Sequence, residues 1–140
     1  MTRVFEIPGE PRGKGRPRFS RRSGAAYTDA KTAAYENLVA VAYRAKYPDA
    51  SPIETAVVLT ATAYMSIPKS TSKKRRAAML AGEIRPTKKP DIDNVLKAVL
   101  DGLNGLAFRD DSQVVTIAIR KEYSETPGLT VAIAETEECE

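Results

Sequence analysis

The stretch KPDIDNVLKAVLDGLNGLAFRDDSQ, residues 89–113, decides the fold of this chain. At 100° per residue, one arc of a helix through it carries only apolar side chains: Ile92, Val95, Leu96, Val99, Leu100 and Leu103. Pro90 cannot continue a helix backwards, and Gly102 and Gly105 favour its end. We therefore predict a helix from about residue 91 to the 102–105 region, with this arc against the core.

The opposite arc of the same helix is rich in acids and amides. It carries Asp93, Asn94, Lys97, Asp101 and Asn104, and Asp91 directly precedes the first apolar residue. A second acid pair, Asp110 and Asp111, stands before the β-branched run VVTIAI. If that run is a strand beside the helix, the short intervening loop is expected to bring Asp111 within a few ångströms of Asp91 and Asp93.

Carboxylates that converge in this way predict a divalent metal site. Close carboxylates raise one another's pKa unless a cation lies among them. Few hard oxygen ligands completed by water suit Mg²⁺, with Mn²⁺ as a substitute. Lys97, one turn after Asp93, either holds a carboxylate or stabilises charge that develops on a phosphate. Two structural alternatives stay open, a capped and solvated helix whose acids match its dipole, and a simple turn at the second acid pair.

Composition excludes several classes of site. The chain has no histidine, which rules out imidazole ligands and the usual catalytic triads. Its one cysteine, Cys139, excludes internal disulfides and cysteine zinc sites and favours a reducing cytoplasm. No apolar run reaches the roughly 20 residues of a membrane span, and no signal peptide is expected. At 140 residues we expect one domain, 1–134, followed by an acidic tail, 135–140.

Two segments concentrate positive charge, a loop at 12–24 and a long connection at 68–90 that we expect to be mobile. Together they hold a single acid, Glu83. One-signed clusters of this kind bind polyphosphate backbones such as DNA, although a merely solvated basic tract is the alternative. The cations assigned to DNA binding are Arg12, Lys14, Arg16, Arg18, Arg21, Arg22, Lys73, Lys74, Arg75, Arg76, Lys88 and Lys89.

The order of predicted elements indicates the fold class. Strands are predicted near 3–7, 56–67, 114–121 and 129–134, and helices from Thr28 or Asp29 to about Tyr47, at 72–81 within the basic connection, and from residue 91. Leaving the short helix aside, the order is β-α-β-α-β-β. This order predicts an α/β fold of the α+β kind, with a small mixed sheet of about four strands and two main helices on one face.

Residues 89–115 resemble the signature segment of the RusA family of Holliday junction resolvases. The motifs GKGRPRF and YTDAKTAAYE resemble the amino-terminal part of its relatives in phages and Gram-positive bacteria. The resemblance extends over nearly the whole chain. It implies a RusA-like homodimer that depends on Mg²⁺ and cuts four-way DNA junctions by paired nicks, in DNA recombination and repair.

The resemblance also implies roles for particular residues. It assigns the metal ligands to Asp91, Asp93 and Asp111 and the essential lysine to Lys97, with Asp110, Asp101 and Asn94 as possible support. Two rival functions remain open. One is a non-catalytic DNA-binding or replication-accessory protein whose acids are structural, and the other is a nuclease for different branched or single-stranded DNA.

Overall fold

The computed structural model describes residues 2–15, 18–27 and 30–136, without the side chains of Arg18 and Tyr27. Its elements are β1 (Thr2–Pro8), β2 (Arg18–Phe19), β3 (Ala26–Tyr27), α1 (Ala30–Lys46), β4 (Val57–Ser66), α2 (Lys73–Leu80), α3 (Ile92–Leu103), β5 (Val114–Ser124) and β6 (Gly128–Glu135). The predicted α+β fold is confirmed. The predicted cap at Thr28 or Asp29, the DNA-binding Arg16 and most of the acidic tail lie outside the described residues.

A mixed four-stranded sheet forms the base of the fold, in the order β1-β6-β4-β5. β4 and β5 are parallel, and the other neighbouring pairs are antiparallel. Parallel neighbours need a crossover connection, which the basic connection and α3 together supply. β2, within the basic loop, and β3, just after it, form a separate two-stranded sheet. The sequence did not predict this second sheet, because strands of two residues have no readable period.

α1 and α3 cover one face of the four-stranded sheet. Alternate residues of β4 are buried beneath them, as the sequence predicted: Val57, Leu59, Ala61, Ala63 and Met65. From the helices, Tyr35, Val39 and Tyr43 of α1 and Val95, Ala98, Val99 and Leu103 of α3 join the same core. The alternation of β4 and the apolar arc of α3 therefore meet in a single core.

The buried arc of α3 is rotated relative to the arc that the sequence predicted. Ala98, which the predicted arc did not include, is buried beside Val95, Val99 and Leu103, whereas Leu96 and Leu100 are half-buried. Ile92 is 37% exposed, which corrects its assignment to the core. It is the first residue of the helix, where the chain has not yet reached the packed face.

No helix in the described part of the chain is long and apolar enough to cross a membrane.

The direction of α3 decides which residues lie near each other. After α3 the chain returns to the start of β4, where the Ile53 NH donates to the Ala107 carbonyl at 2.8 Å. Before α3 the chain lies near the far end of β5, where Lys121 Nζ donates to the Lys88 carbonyl at 2.5 Å. α3 therefore runs antiparallel to β5. Because it has 12 residues and is about 18 Å long, the segments before and after it lie at opposite ends of the sheet.

Candidate functional site

A cleft of about 760 Å³ lies at the N-terminal end of α3. Its walls come from the loop after β1, the first turn of α1 and residues 89–94. Four cations line it, Arg12, Lys14, Lys31 and Lys89, together with the carboxylates of Glu10 and Asp91. The cations outnumber the acids in this lining, so the cleft attracts a negatively charged phosphodiester. Lys31 was not among the predicted DNA-binding residues, because it lies outside both basic segments of the sequence.

Asp91 and Asp93 start the helix that enters this cleft. Asp91 is the N-cap residue of α3, and its carbonyl accepts from the NH groups of Asn94 and Val95, each at 3.1 Å. The Asp91 side chain makes no capping hydrogen bond. Both carboxylates are exposed, and neither has a hydrogen bond or ion pair to another described residue. They are consequently open to an external ligand.

Lys97 follows Asp93 by one turn on the same face of α3. Its side chain is exposed and has no ion-pair partner within the described residues. Since no neighbouring carboxylate neutralises it, its charge is available to a bound anion. Asn94 is half-buried, and its carbonyl accepts from the Lys14 NH at 2.9 Å. Its backbone is thus part of the wall of the cleft.

The second acid pair differs in how each member is bonded. Asp110 is the N-cap of a single 3₁₀ turn, Asp111–Gln113, and its Oδ2 accepts from the Ser112 NH at 3.1 Å. Gln113 Oε1 accepts from the Asp110 NH at 2.9 Å, which completes a capping box. Hydrogen bonds from the side chain and then the backbone of Ser112 lower the pKa of Asp110. Asp110 therefore supports the turn, whereas the Asp111 side chain is exposed.

Gln113 fastens this turn to the sheet. Its Nε2 donates to the carbonyls of Ile53 and Thr55, at 2.8 and 2.9 Å. These two acceptors lie in the segment just before β4, which begins at Val57. The sequence did not single out Gln113, although its position three residues after Asp110 matches the spacing of a capping box. The turn that carries Asp111 is thus held at the start of β4 and β5.

The expected convergence of three aspartates within one chain is not found. No group of three or more His, Cys, Asp or Glu side chains in residues 2–15, 18–27 and 30–136 is arranged to hold a metal ion. Asp111 lies beyond the C-terminal end of α3, and Asp91 and Asp93 lie at its N-terminal end. The loop between α3 and β5 is short, but the helix itself separates these acids by about its own length of 18 Å.

Asp101 is paired with a lysine and lies away from the other acids of α3. It forms an ion pair with Lys14, which also pairs with Glu36 at 3.2 Å. Asp101 follows Asp93 by two turns, about 12 Å along the helix axis. It therefore lies outside the immediate surroundings of Asp91 and Asp93, and its carboxylate already has a cation.

The remaining predicted DNA-binding cations are largely on the surface. The exposed ones are Arg12, Arg21, Arg22, Lys73, Lys74, Arg75, Lys88 and Lys89. Arg76 on α2 pairs with Glu125 at 3.2 Å, and Arg85 pairs with Glu122 at 3.7 Å. These two contacts hold the basic connection against the end of β5, near the cleft.

Comparison with known proteins identifies the family. A family model described as endodeoxyribonuclease RusA matches residues 8–134, a range that includes both acid pairs and the cleft. The chain is also 40% identical over 135 residues to the uncharacterized protein YqaN of Bacillus subtilis (strain 168), with 94% of each chain covered. The chain belongs to the RusA family of endodeoxyribonucleases.

Proposed function

We propose that this protein is a Mg²⁺-dependent endonuclease that resolves Holliday junctions by symmetric paired nicks, in DNA recombination and repair. The observation that carries the proposal is the cleft at the start of α3, where Arg12, Lys31 and Lys89 share the lining with the Asp91 carboxylate, which has no partner among the described residues. Membership of an endodeoxyribonuclease family supports phosphodiester hydrolysis as the reaction. The cleft is the position where a DNA strand would reach the acids.

Asp91, Asp93 and Asp111 are the proposed metal ligands. Their chemistry fits Mg²⁺, since carboxylate oxygens completed by water are its usual ligands, and Mn²⁺ would substitute. The bound ion would acidify a water and neutralise charge at the scissile phosphate. Lys97, exposed and without an ion-pair partner in residues 2–15, 18–27 and 30–136, would stabilise the charge that develops on that phosphate. Asn94 remains a candidate for support at the same end of α3.

Within one chain these three acids do not fit a metal ion, so we propose that the site is completed in a homodimer. β5 is an edge strand with no neighbour on its outer side among the described residues, and it exposes Val115 by 61% and Ile117 by 40%. Antiparallel pairing of β5 with its copy would place opposite ends of the two strands together. Asp111 of the partner subunit would then approach the end of α3 that carries Asp91 and Asp93.

The exposed cations of the basic loop and α2 would bind the arms of the junction. Because such contacts release counterions, affinity for the junction should fall steeply as salt concentration rises. Arg21, Arg22, Lys73 and Lys74 are the strongest candidates, since they are exposed and have no acidic partner among the described residues. An affinity that does not depend on salt would contradict this assignment.

A nicking assay on synthetic DNA tests the proposal directly. The four substrates are a four-way junction, a fork, a linear duplex and a single strand, each with Mg²⁺, with Mn²⁺ or with EDTA. We expect paired nicks in opposed strands of the junction with either metal and none with EDTA. Equal or faster cleavage of forks or single strands would favour a nuclease for other branched DNA. Binding without cleavage under any metal would favour a non-catalytic DNA-binding protein.

A further inference from the structure

The loop after β1 is seated against both helices. The Lys14 NH donates to the Asn94 carbonyl at 2.9 Å, and the Gly15 NH donates to Thr32 Oγ1 at 3.0 Å. A Cβ at Gly13 would lie 2.9 Å from the Asn94 Cβ, closer than real side chains approach. Residues 13–15 therefore contact α3 on one side and α1 on the other, and only glycine fits at position 13.

The side chain of Lys14 lies between two acids on different helices. It pairs with Asp101 on α3 and, at 3.2 Å, with Glu36 on α1. The helices are in close contact here, since a Cβ at Gly102 would lie 2.8 Å from the Glu36 carbonyl oxygen. Two carboxylates brought together in this way repel each other unless a cation lies between them. The hydrogen bond to Asp101 raises the pKa of Lys14, as expected for a cation in this position.

The charge of Lys14 is thus already balanced by the protein. With one cation and two carboxylates, the group of Lys14, Asp101 and Glu36 carries net negative charge and offers little attraction to a phosphate. Arg21, in contrast, is exposed and has no acidic partner among the described residues. The two side chains belong to the same basic segment of the sequence but differ in what surrounds them.

We propose that Lys14 is a positioning residue and not a phosphate contact. By binding Asp101 and Glu36 it holds the loop on α1 and α3, and the held loop forms the wall of the cleft that faces Asp91. This inference rests on the proposed function, because its effect on catalysis requires a DNA strand in the cleft. The geometry of the loop itself can be tested without DNA.

Hydrogen exchange in the free protein tests how the loop is held. The probes are the backbone amides of Lys14 and Gly15, which donate hydrogen bonds to α3 and α1 respectively. Their exchange rates are compared between wild type and three variants, Lys14→Met, Asp101→Asn and Arg21→Met. We expect faster exchange in the first two variants and wild-type exchange in Arg21→Met. Exchange that stays at the wild-type rate in both Lys14→Met and Asp101→Asn would overturn the proposal.

Junction binding and single-turnover cleavage, measured across salt concentrations, separate positioning from phosphate contact. Lys14→Met should leave the salt slope of binding unchanged and slow cleavage at saturating junction by about tenfold or more, because the cleft wall is misplaced. Asp101→Asn should slow cleavage similarly, although it makes the protein more positive. The exchanged pair Lys14→Asp with Asp101→Lys keeps a cation between acids and should recover much of the rate. Arg21→Met should reduce the salt slope by about one.

The opposite pattern identifies Lys14 as a DNA contact. If Lys14→Met lowers the salt slope by about one while Asp101→Asn binds the junction more tightly and cleaves normally, the proposal is wrong. Its failure can be told from that of the proposed function. Suppose that the wild-type protein nicks none of the substrates, but that the Lys14 and Asp101 variants still speed exchange at the loop amides. The proposed function is then wrong, and the role of Lys14 in holding the loop remains supported.

Discussion

The two ends of α3 carry similar acidic motifs that the protein uses differently. At the N-terminal end, Asp91 and Asp93 have no partner among the described residues, and Asp91 lies in a cleft lined by cations. Beyond the C-terminal end, Asp110 accepts a hydrogen bond from Ser112 and shares a capping box with Gln113. Asp111, next to it, is exposed and resembles the first pair. An acid that is already hydrogen-bonded supports the fold, whereas an acid without an internal partner is available to a ligand.

The largest expected effect comes from neutralising the free acids. Asp91→Asn, Asp93→Asn and Asp111→Asn should each slow junction cleavage by about a hundredfold or more, because each removes charge from the proposed metal site. Junction binding and thermal unfolding should stay close to wild type, since none of these carboxylates is paired with another side chain in the part of the chain that the structure describes. Single-turnover cleavage, band-shift titration and circular dichroism measure the three quantities.

Asp110→Asn is the matched control for these variants. It neutralises the acid that the turn uses, so it should retain most of the cleavage activity. A loss as large as that of Asp111→Asn would show that Asp110 also takes part in the chemistry. The difference between the two neighbouring acids would then disappear.

Mixing two inactive variants tests whether the ends of α3 meet across a dimer. If the site combines Asp93 of one chain with Asp111 of the partner subunit, a heterodimer of Asp93→Asn and Asp111→Asn has one intact site and one with both changes. After random mixing in equal amounts, half of the dimers are heterodimers, so about a quarter of all sites should be intact and able to nick. If each site lies within one chain, both sites of the heterodimer are damaged and mixing restores nothing. Nicking of a labelled junction before and after subunit exchange measures the recovery.

Gln113→Ala tests the structural role of the second end. It removes hydrogen bonds to Ile53, Thr55 and Asp110, and leaves carbonyls at the start of β4 without their donor. We expect a loss of about 1–3 kcal/mol in the free energy of unfolding, measured with urea. Asn37→Ala, an exposed amide on α1, is the control and should change stability little. Equal stability of the two variants would mean that Gln113 does not fasten the turn.

The smallest effect concerns the pH dependence of the same turn. Because the pKa of Asp110 is lowered from 3.8 in the folded state, its ionised form stabilises the fold above that value. The contribution is lost as pH falls through the lowered pKa. Wild type should therefore lose slightly more stability than Asp110→Asn on acidification below about pH 4, and thermal melts at several pH values measure the difference. A stability advantage of wild type that grows on acidification would have the wrong sign.

Local patterns determined much of the fold. The apolar period of residues 92–103 and the alternation of residues 57–65 predicted α3 and β4, because a helix and a strand each repeat over a few residues. The absence of histidine and the clustering of cations narrowed the range of possible chemistry through composition alone. The same patterns could not exclude Ile92 from the core, since its burial depends on where α3 leaves the sheet.

Long-range geometry decided the rest. Loop length alone suggested that Asp111 approaches Asp91, but the parallel pairing of β4 and β5 makes α3 span the sheet and places the two acids at its opposite ends. Lys14 was counted among the DNA-binding cations, yet the packing of α1 on α3 at Gly102 surrounds it with two acids. The sequence by itself determined which residues carry charge and which elements they start, since those depend on neighbours a few positions away. Only the tertiary structure decided which charges meet, because partners such as residues 14 and 101 are brought together by packing and not by spacing.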